Sequence, residues 1–151
     1  MGRRRPVAGA PPIFVGLALG ARIGWARRCG GRLTCGMHKP GAARNGLRYL
    51  QAEAMLCELA AHAPRRLHWV AISARAPDEC AALRDACEAW CEAWRVPCVA
   101  VSEVGLRCYG MRPTEREPMK RARMTLDFAS VAIAPLFRSV EHERRTINQS
   151  A

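Results

Sequence analysis

The chain has 151 residues, of which 50% are hydrophobic and 25% are charged, a balance that favours one folded domain and excludes a disordered chain. It contains no uninterrupted apolar run of the ~18 residues that a transmembrane helix needs, so we expect no membrane partner. The formal net charge of +11 favours a polyanionic partner.

The positive charge is concentrated in the first third of the chain. Residues 1–52 contain nine Arg and one Lys and no acidic residue, whereas the rest of the chain contains 14 basic and 13 acidic side chains. Residues 1–40 are rich in Gly and Pro, and we interpret them as an irregular basic extension. Three interpretations of this extension stay open: a nucleic-acid-binding arm or solvated tail, an organelle transit peptide, or an export signal.

Most of the eight cysteines lie within apolar periodic segments, which is typical of buried thiols in a reducing compartment and not of disulfides. Cys29, Cys35 and His38 form the one grouping with the character of a metal site. Structural zinc normally takes four ligands, and no fourth ligand lies nearby in the sequence. We therefore predict no metal and no cofactor.

The segments after residue 40 alternate between helical and strand patterns. A helix is predicted from about Asn45 to His62, with Leu47, Leu50, Ala54, Cys57 and Ala61 on one face. The compact apolar runs at 67–73 and 96–102 predict two buried strands, and a helix opened by Pro77 is predicted between them, over 77–95. Strand, helix and strand in this order form a βαβ unit.

The last third of the chain is predicted to contain a short helix, a loop, a strand and a terminal helix. The short helix covers 103–109, with Ser102 at its N-cap and Gly110 after its end. A charged loop follows at 113–123, then a third strand at 125–135 and a helix at 136–147. The predicted fold is α/β: a three-layer α-β-α sandwich with a short mixed or parallel sheet, spanning residues 41–147 and followed by a polar tail at 148–151.

The usual signatures of catalysis are weak in this sequence. None of the four histidines is placed beside a Ser or Cys nucleophile in an evident way, and no glycine-rich phosphate loop is present. We therefore predict a protein that is not an enzyme and has no small-molecule substrate.

Residues 67–113, LHWVAISARAPDECAALRDACEAWCEAWRVPCVAVSEVGLRCYGMRP, resemble the kink-turn RNA-binding ribosomal protein superfamily, of the archaeal "seven-Ae" and eukaryotic "thirty-e" type. The family's strand, loop proline and Val-Pro signature match Val70–Ile72, Pro77 and Val96-Pro97. Its loop serine, its leucine and its closing motif match Ser102, Leu106, Gly110, Arg112 and Pro113. The sequence departs from the family where Glu103 replaces a basic residue, where Arg107 replaces a glycine, and where residues 41–48 lack the family's glutamate. Val-Pro-Cys at 96–98 in place of the family's Val-Pro-Tyr, together with the altered motif at 41–48, makes the chain resemble the RNase P/MRP subunit of that superfamily more than its ribosomal members.

The resemblance implies a non-catalytic RNA-binding component of an intracellular ribonucleoprotein, with structured RNA and other ribonucleoprotein subunits as its partners. The expected localisation is the nucleus, nucleolus or cytoplasm, with import into an organelle as an alternative. The RNA-binding residues that the resemblance implies are Gly41, Arg44, Asn45, Arg48, Arg75, Val101, Ser102, Glu103, Val104 and Arg107. Ordinary structural roles stay open for several of them: Asn45 and Ser102 as N-caps, Val101 as a core residue.

Two other interpretations are kept. The chain is alternatively a small α/β enzyme or the relic of a replication endonuclease, because the layout LHWVAIS…VAVSEVG resembles the strand–helix–strand-Glu core of that group. No His-x-His motif follows Glu103, and Tyr109 lies too close to the strand, so this alternative ranks second. The third interpretation is an organelle-imported ribonucleoprotein subunit.

Overall fold

The computed structural model describes residues 10–39, 45–76 and 80–135. They form a five-stranded sheet in the order β3-β2-β1-β4-β5. The strands are β1 (Ile13–Leu19), β2 (Ile23–Cys29), β3 (Arg32–His38), β4 (Leu67–Ala74) and β5 (Cys98–Ala100). The helices are α1 (Asn45–Leu59), α2 (Ala81–Ala93), α3 (Glu103–Cys108) and α4 (Pro118–Phe128), with a 3-10 turn at Pro64–Arg66 and a π-helical turn at Ala129–Ile133.

The sheet is mixed. Strands β1, β2 and β3 form an antiparallel meander, β4 is parallel to β1, and β5 is parallel to β4. Helices α1 and α2 share one hydrophobic core with one face of the sheet, and α3 and α4 share a second core with the opposite face. The predicted α/β sandwich with a mixed sheet is confirmed, and so is the adjacent, parallel pairing of the two βαβ strands.

The interpretation of residues 1–40 as irregular is wrong for residues 13–38, which form three strands of the sheet. Strand β1 is buried along nearly its whole length because it lies in the middle of the sheet between β2 and β4. Gly30 and Gly31 both have positive φ values, +59° and +77°, which is the backbone that a two-residue hairpin turn requires. Gly30 and Gly31, which favoured an irregular segment, therefore close the β2–β3 hairpin.

The predicted strand at 125–135 is also wrong, since these residues form the end of α4 and the π-helical turn. Thr125, Val131 and Ile133 are β-branched and favoured a strand, but the buried positions Ala122, Leu126 and Ala129 recur at helical spacing. The helix begins inside the predicted charged loop, where the Glu117 side chain accepts hydrogen bonds from the backbone N–H groups of Met119 and Lys120. The predicted terminal helix at 136–147 and the tail at 148–151 lie outside the described residues.

Helix α1 is present as predicted, but it buries a different face. Leu47 and Leu50 are 52% and 56% exposed, whereas Met55, Leu56 and Leu59 are buried. Apolar residues occur on both sides of this helix, so periodicity alone did not identify the buried side.

The cysteines are all free thiols, of which Cys80, Cys87 and Cys91 are buried. The β2–β3 ladder places Cys29 opposite Arg32 and His38 opposite Ile23, at opposite ends of β2. Within the described ranges, no helix has both the length and the hydropathy to cross a membrane.

Helix α4 lies against the backbone of β1 and β2 at two glycines. A Cβ atom on Gly16 would lie 2.6 Å from the carbonyl oxygen of Ala122 and 2.7 Å from the Leu126 nitrogen, and one on Gly24 would overlap the backbone of Pro118. Only glycine allows a helix and a strand to approach this closely.

We expect Gly16→Ala to destabilise the protein by about 1–3 kcal/mol, because the added methyl group has to push α4 away from β1. The free energy of unfolding measured in urea checks this value. Gly20→Ala is the control: its methyl would lie 3.3 Å from the carbonyl oxygen of Arg22, with no other heavy atom outside its neighbours that close, and it should cost less. Equal stability of Gly16→Ala and the unmodified protein would show that α4 does not press on β1.

Candidate functional site

A cavity of about 380 Å³ opens where the carboxyl ends of β1 and β4 lie side by side. β1 and β4 are neighbours in the sheet, but the next strand in the chain lies on opposite sides of them: β2 lies beside β1, and β5 lies beside β4. The boundary between β1 and β4 is therefore a topological switch point. Open α/β sheets bind ligands in the crevice outside the carboxyl ends of the strands at such a point. The cavity, which we call the arginine cleft, is lined by Ala18, Leu19, Gly20, Ala21, Arg22, Arg75, Arg116, Pro118 and Arg121.

The four arginines reach the cleft from three parts of the chain. Arg22 lies in the turn between β1 and β2, Arg75 directly follows β4, and Arg116 and Arg121 lie just before and within the first turn and a half of α4. Small residues at the end of β1, such as Ala18 and Gly20, leave the space between them open. The lining combines an apolar floor with a few convergent polar groups, as ligand sites generally do.

Arg121 is the buried member of the set and is only 5% exposed. Its Nη1 donates a hydrogen bond to the backbone oxygen of Glu115 at 3.0 Å, and its Nη2 forms an ion pair with the Glu103 carboxylate. Glu103 is the first residue of α3, held in place because the Ser102 hydroxyl accepts a hydrogen bond from the Gly105 nitrogen at 3.0 Å. These contacts fix the position of the guanidinium group before any ligand arrives.

The electrostatics of the cleft favour an anion. Burial lowers the pKa of Arg121, and the positive charge of Arg75 nearby lowers this pKa further. An arginine starts from so high a pKa that it stays protonated at neutral pH. Its neighbour Lys120 forms an ion pair with Glu115 at 3.4 Å, so these two charges largely offset each other. The cleft therefore carries repelling like charges, and an anion among them would relieve the repulsion.

Two buried hydroxyl groups lie where β4 meets α4. The Oγ atoms of Ser73 and Thr125 are 2.7 Å apart, and Thr125 Oγ1 donates to the backbone oxygen of Arg121 at 2.7 Å. Because Thr125 has one hydroxyl proton, Ser73 is the donor to Thr125. Both hydroxyl groups thus hold α4 on the sheet, and no described residue is paired with either of them as a base that would make it a nucleophile.

Of the sequence-predicted RNA-binding residues that the structure describes, two lie at the cleft. Arg75 lines it, and Glu103 reaches it through the ion pair with Arg121. Ser102 caps α3 and Val101 is buried, which are the ordinary structural roles left open above. Val104 is 68% exposed on α3.

The remaining predicted residues are divided over the molecule. Arg107 is exposed in the last turn of α3, and Arg48 lies on α1, in the helical layer on the other side of the sheet from α3 and α4. Asn45 begins α1, whereas Gly41 and Arg44 lie outside the described residues. Those of the predicted residues that the structure describes therefore do not form one continuous surface, and the roles of the whole set in binding stay predictions.

Sequence reasoning missed Arg22, Arg116 and Arg121. The signal for Arg22 was the apolar run at 13–19 followed by Gly20 and Arg22, which has the pattern of a buried strand and a turn. The signal for Arg121 was the helical spacing of Ala122, Leu126 and Ala129 after Pro118. This spacing predicts a helix that begins near the proline, with Arg121 in its first turns.

No family model matches the sequence, and no curated protein matches it. Solved structures do match the fold. One is T. thermophilus RuvC in complex with a Holliday junction substrate, with 14% identity and a TM-score of 0.56, covering 79% of this chain and 94% of that one. Another is Thermus thermophilus RuvC by itself, with 12% identity and a TM-score of 0.55, covering 78% of this chain and 95% of that one.

At these identities the comparison establishes a shared fold. It nevertheless corrects one prediction. The prediction that this protein is not an enzyme is contradicted, because the fold that spans nearly all of RuvC, a protein with a nucleic-acid substrate, also spans most of this chain. The resemblance to the kink-turn superfamily stays a prediction.

We expect the hydrogen bond between Ser73 and Thr125 to be visible in a double-mutant cycle. Ser73→Ala should cost about 1 kcal/mol, and Thr125→Val should cost about 1–3 kcal/mol because the buried Ser73 hydroxyl then loses its partner at 2.7 Å and keeps the more distant Leu17 backbone oxygen at 3.5 Å. The double variant should be less destabilised than the sum of the two by about 1 kcal/mol. Urea unfolding of the four proteins measures this coupling, and additive effects would refute the contact.

Proposed function

We propose that this protein binds nucleic acid through its phosphate backbone, with the arginine cleft as the contact. The observation that carries the proposal is the convergence of Arg22, Arg75, Arg116 and Arg121 at the carboxyl edge of β1 and β4. Guanidinium groups match the geometry of phosphate oxygens and bind them in pairs of hydrogen bonds.

The shared fold supports a polynucleotide as the source of the phosphate. RuvC of this fold takes a Holliday junction as its substrate, and the aligned region includes nearly all of that protein. The net charge of +11 also favours a polyanion, since each phosphate that is neutralised releases counterions. A DNA partner is supported by the fold, whereas a structured RNA partner is supported only by the sequence resemblance.

The enzyme alternative fits the fold better than the ribonucleoprotein subunit does. Guanidinium groups around a phosphate also stabilise the charge that develops during transfer of a phosphoryl group. The cleft is therefore suited to a phosphodiester-processing enzyme or to the relic of one. Incubation of an end-labelled four-way DNA junction with the protein and Mg²⁺ or Mn²⁺ distinguishes an active enzyme from the relic of one, because only an active enzyme shortens the labelled strands.

The salt dependence of binding tests the proposal. We expect Arg75→Gln and Arg116→Gln each to weaken binding to a labelled four-way DNA junction, and each to reduce the slope of log K against log salt by about one, since each removes one phosphate contact. Fluorescence anisotropy over a potassium chloride series measures both quantities. Both side chains are exposed, so the fold should not change.

Arg65→Gln is the matched control. Arg65 is an exposed arginine in the 3-10 turn before β4, at the opposite end of that strand and about 25 Å from Arg75. The control should keep the affinity and slope of the unmodified protein. Equal effects of all three substitutions would show a general charge effect and would refute the cleft as the contact. A labelled kink-turn RNA in the same assay decides whether RNA is also bound.

A further inference from the structure

We propose that the arginine cleft holds the bound phosphate with its own guanidinium groups and without a bridging divalent metal ion, Arg121 being the fixed contact and Arg75 the mobile one. The inference rests on the proposed function and names how the same site takes its ligand. The ligand class is a phosphodiester or phosphate oxyanion.

A divalent cation is the common means by which proteins that act on nucleic acids neutralise a phosphate. Hard cations such as Mg²⁺ take oxygen ligands, usually carboxylates. The cleft is lined by Ala18 and Leu19 at the end of β1, and Ala18 lies opposite Ser73 on β4. Alanine supplies no ligand, and the Ser73 hydroxyl is buried and donates to Thr125. The strand ends therefore do not fit a metal ion.

In the described part of the chain, two glutamates contact the guanidinium group of Arg121, and both carboxylates are paired: Glu103 with Arg121, and Glu115 with Lys120 at 3.4 Å. A metal ion would compete with the buried Arg121 for the charge of the Glu103 carboxylate, and weakening the counter-ion of a buried arginine is unfavourable. A cation in the cleft would also be repelled by the charges of Arg22, Arg75 and Arg116. The positive charge that a metal ion would bring is already present in the side chains.

Arg121 is suited to the role of the fixed contact. Its side chain is only 6% exposed and is held by Glu103 and by the backbone of Glu115, so ordering it on binding costs little conformational entropy. Arg121 Nη1 also lies 3.7 Å from the Met111 sulfur, and a guanidinium group has five N–H donors, more than these three contacts use, which leaves donors for an oxyanion. Arg75 is exposed and follows the end of β4, so its side chain is free to close over a ligand from the other side.

The Glu103 carboxylate also offsets one of the positive charges of the cleft, that of Arg121. Removing its charge without changing its shape should make the site more attractive to phosphate. Neutralising Glu103 should therefore raise the affinity for phosphate, whereas it would lower the affinity if Glu103 were a metal ligand.

The first experiment measures the affinity of the unmodified protein for a labelled four-way DNA junction in 1 mM EDTA and in 5 mM MgCl₂, at matched ionic strength. We expect the dissociation constants to agree within about twofold. A loss of tenfold or more in EDTA would overturn the inference and leave the proposed function standing. Absence of binding in both buffers would refute the proposed function itself.

The second experiment compares Glu103→Gln with the unmodified protein in EDTA. We expect tighter binding, by about threefold to tenfold, and a slope of log K against log salt that is steeper by about one. Weaker binding of Glu103→Gln in MgCl₂ together with unchanged binding in EDTA would identify Glu103 as a metal ligand and overturn the inference. A thermal unfolding curve confirms that the variant is folded, and the EDTA comparison on the unmodified protein decides the question independently of any variant.

Discussion

The close contact of α4 with the backbone of β1 and β2 is the constraint on which the rest of this structure depends. It is possible because Gly16 and Gly24 have no Cβ atoms at the points where Ala122, Leu126 and Pro118 cross the strands. At the far end of the helix, Arg28 on β2 donates to Asp127 at 2.9 Å and to Ser130 at 3.2 Å, which fixes the helix along its length. The helix is thereby aligned so that Arg121 and Thr125 lie at the carboxyl ends of β1 and β4.

That alignment determines the polar chemistry of the site. An arginine brought so close to a sheet is buried, and a buried charge requires a partner. Glu103 is that partner, and its position depends on the Ser102 cap that starts α3. The strand that ends before Ser102 thus contributes to the cleft indirectly, by placing one carboxylate. The buried hydroxyl groups of Ser73 and Thr125 likewise require partners, and the hydrogen bond between them attaches α4 to β4.

The sequence was sufficient for the elements whose patterns are local. The apolar run of β4, the amphipathic helix α2 and the Ser102 cap of α3 were all predicted, because burial and capping act within a few residues. The meander β1–β3 was missed because Gly, Pro and Arg are also typical of disordered arms, and its turn chemistry at Gly30 and Gly31 went unrecognised. The cleft could not be predicted from local patterns, since Arg22, Arg75 and Arg121 are about 50 residues apart and only the strand order brings them together.

The acid-free first third of the chain was interpreted as a basic extension, but most of its described part belongs to the sheet. Its arginines at positions 22, 27, 28 and 32 lie on or between strands of the sheet, so the basic charge in the described part of this segment is built into the folded domain. Most of these side chains add to the long-range field that attracts a polyanion, a contribution that salt screens. Arg22 alone among them lines the cleft. The fold shared with RuvC leaves open which residues stand beside the carboxyl ends of β1 and β4, and in this chain arginines line the cleft there.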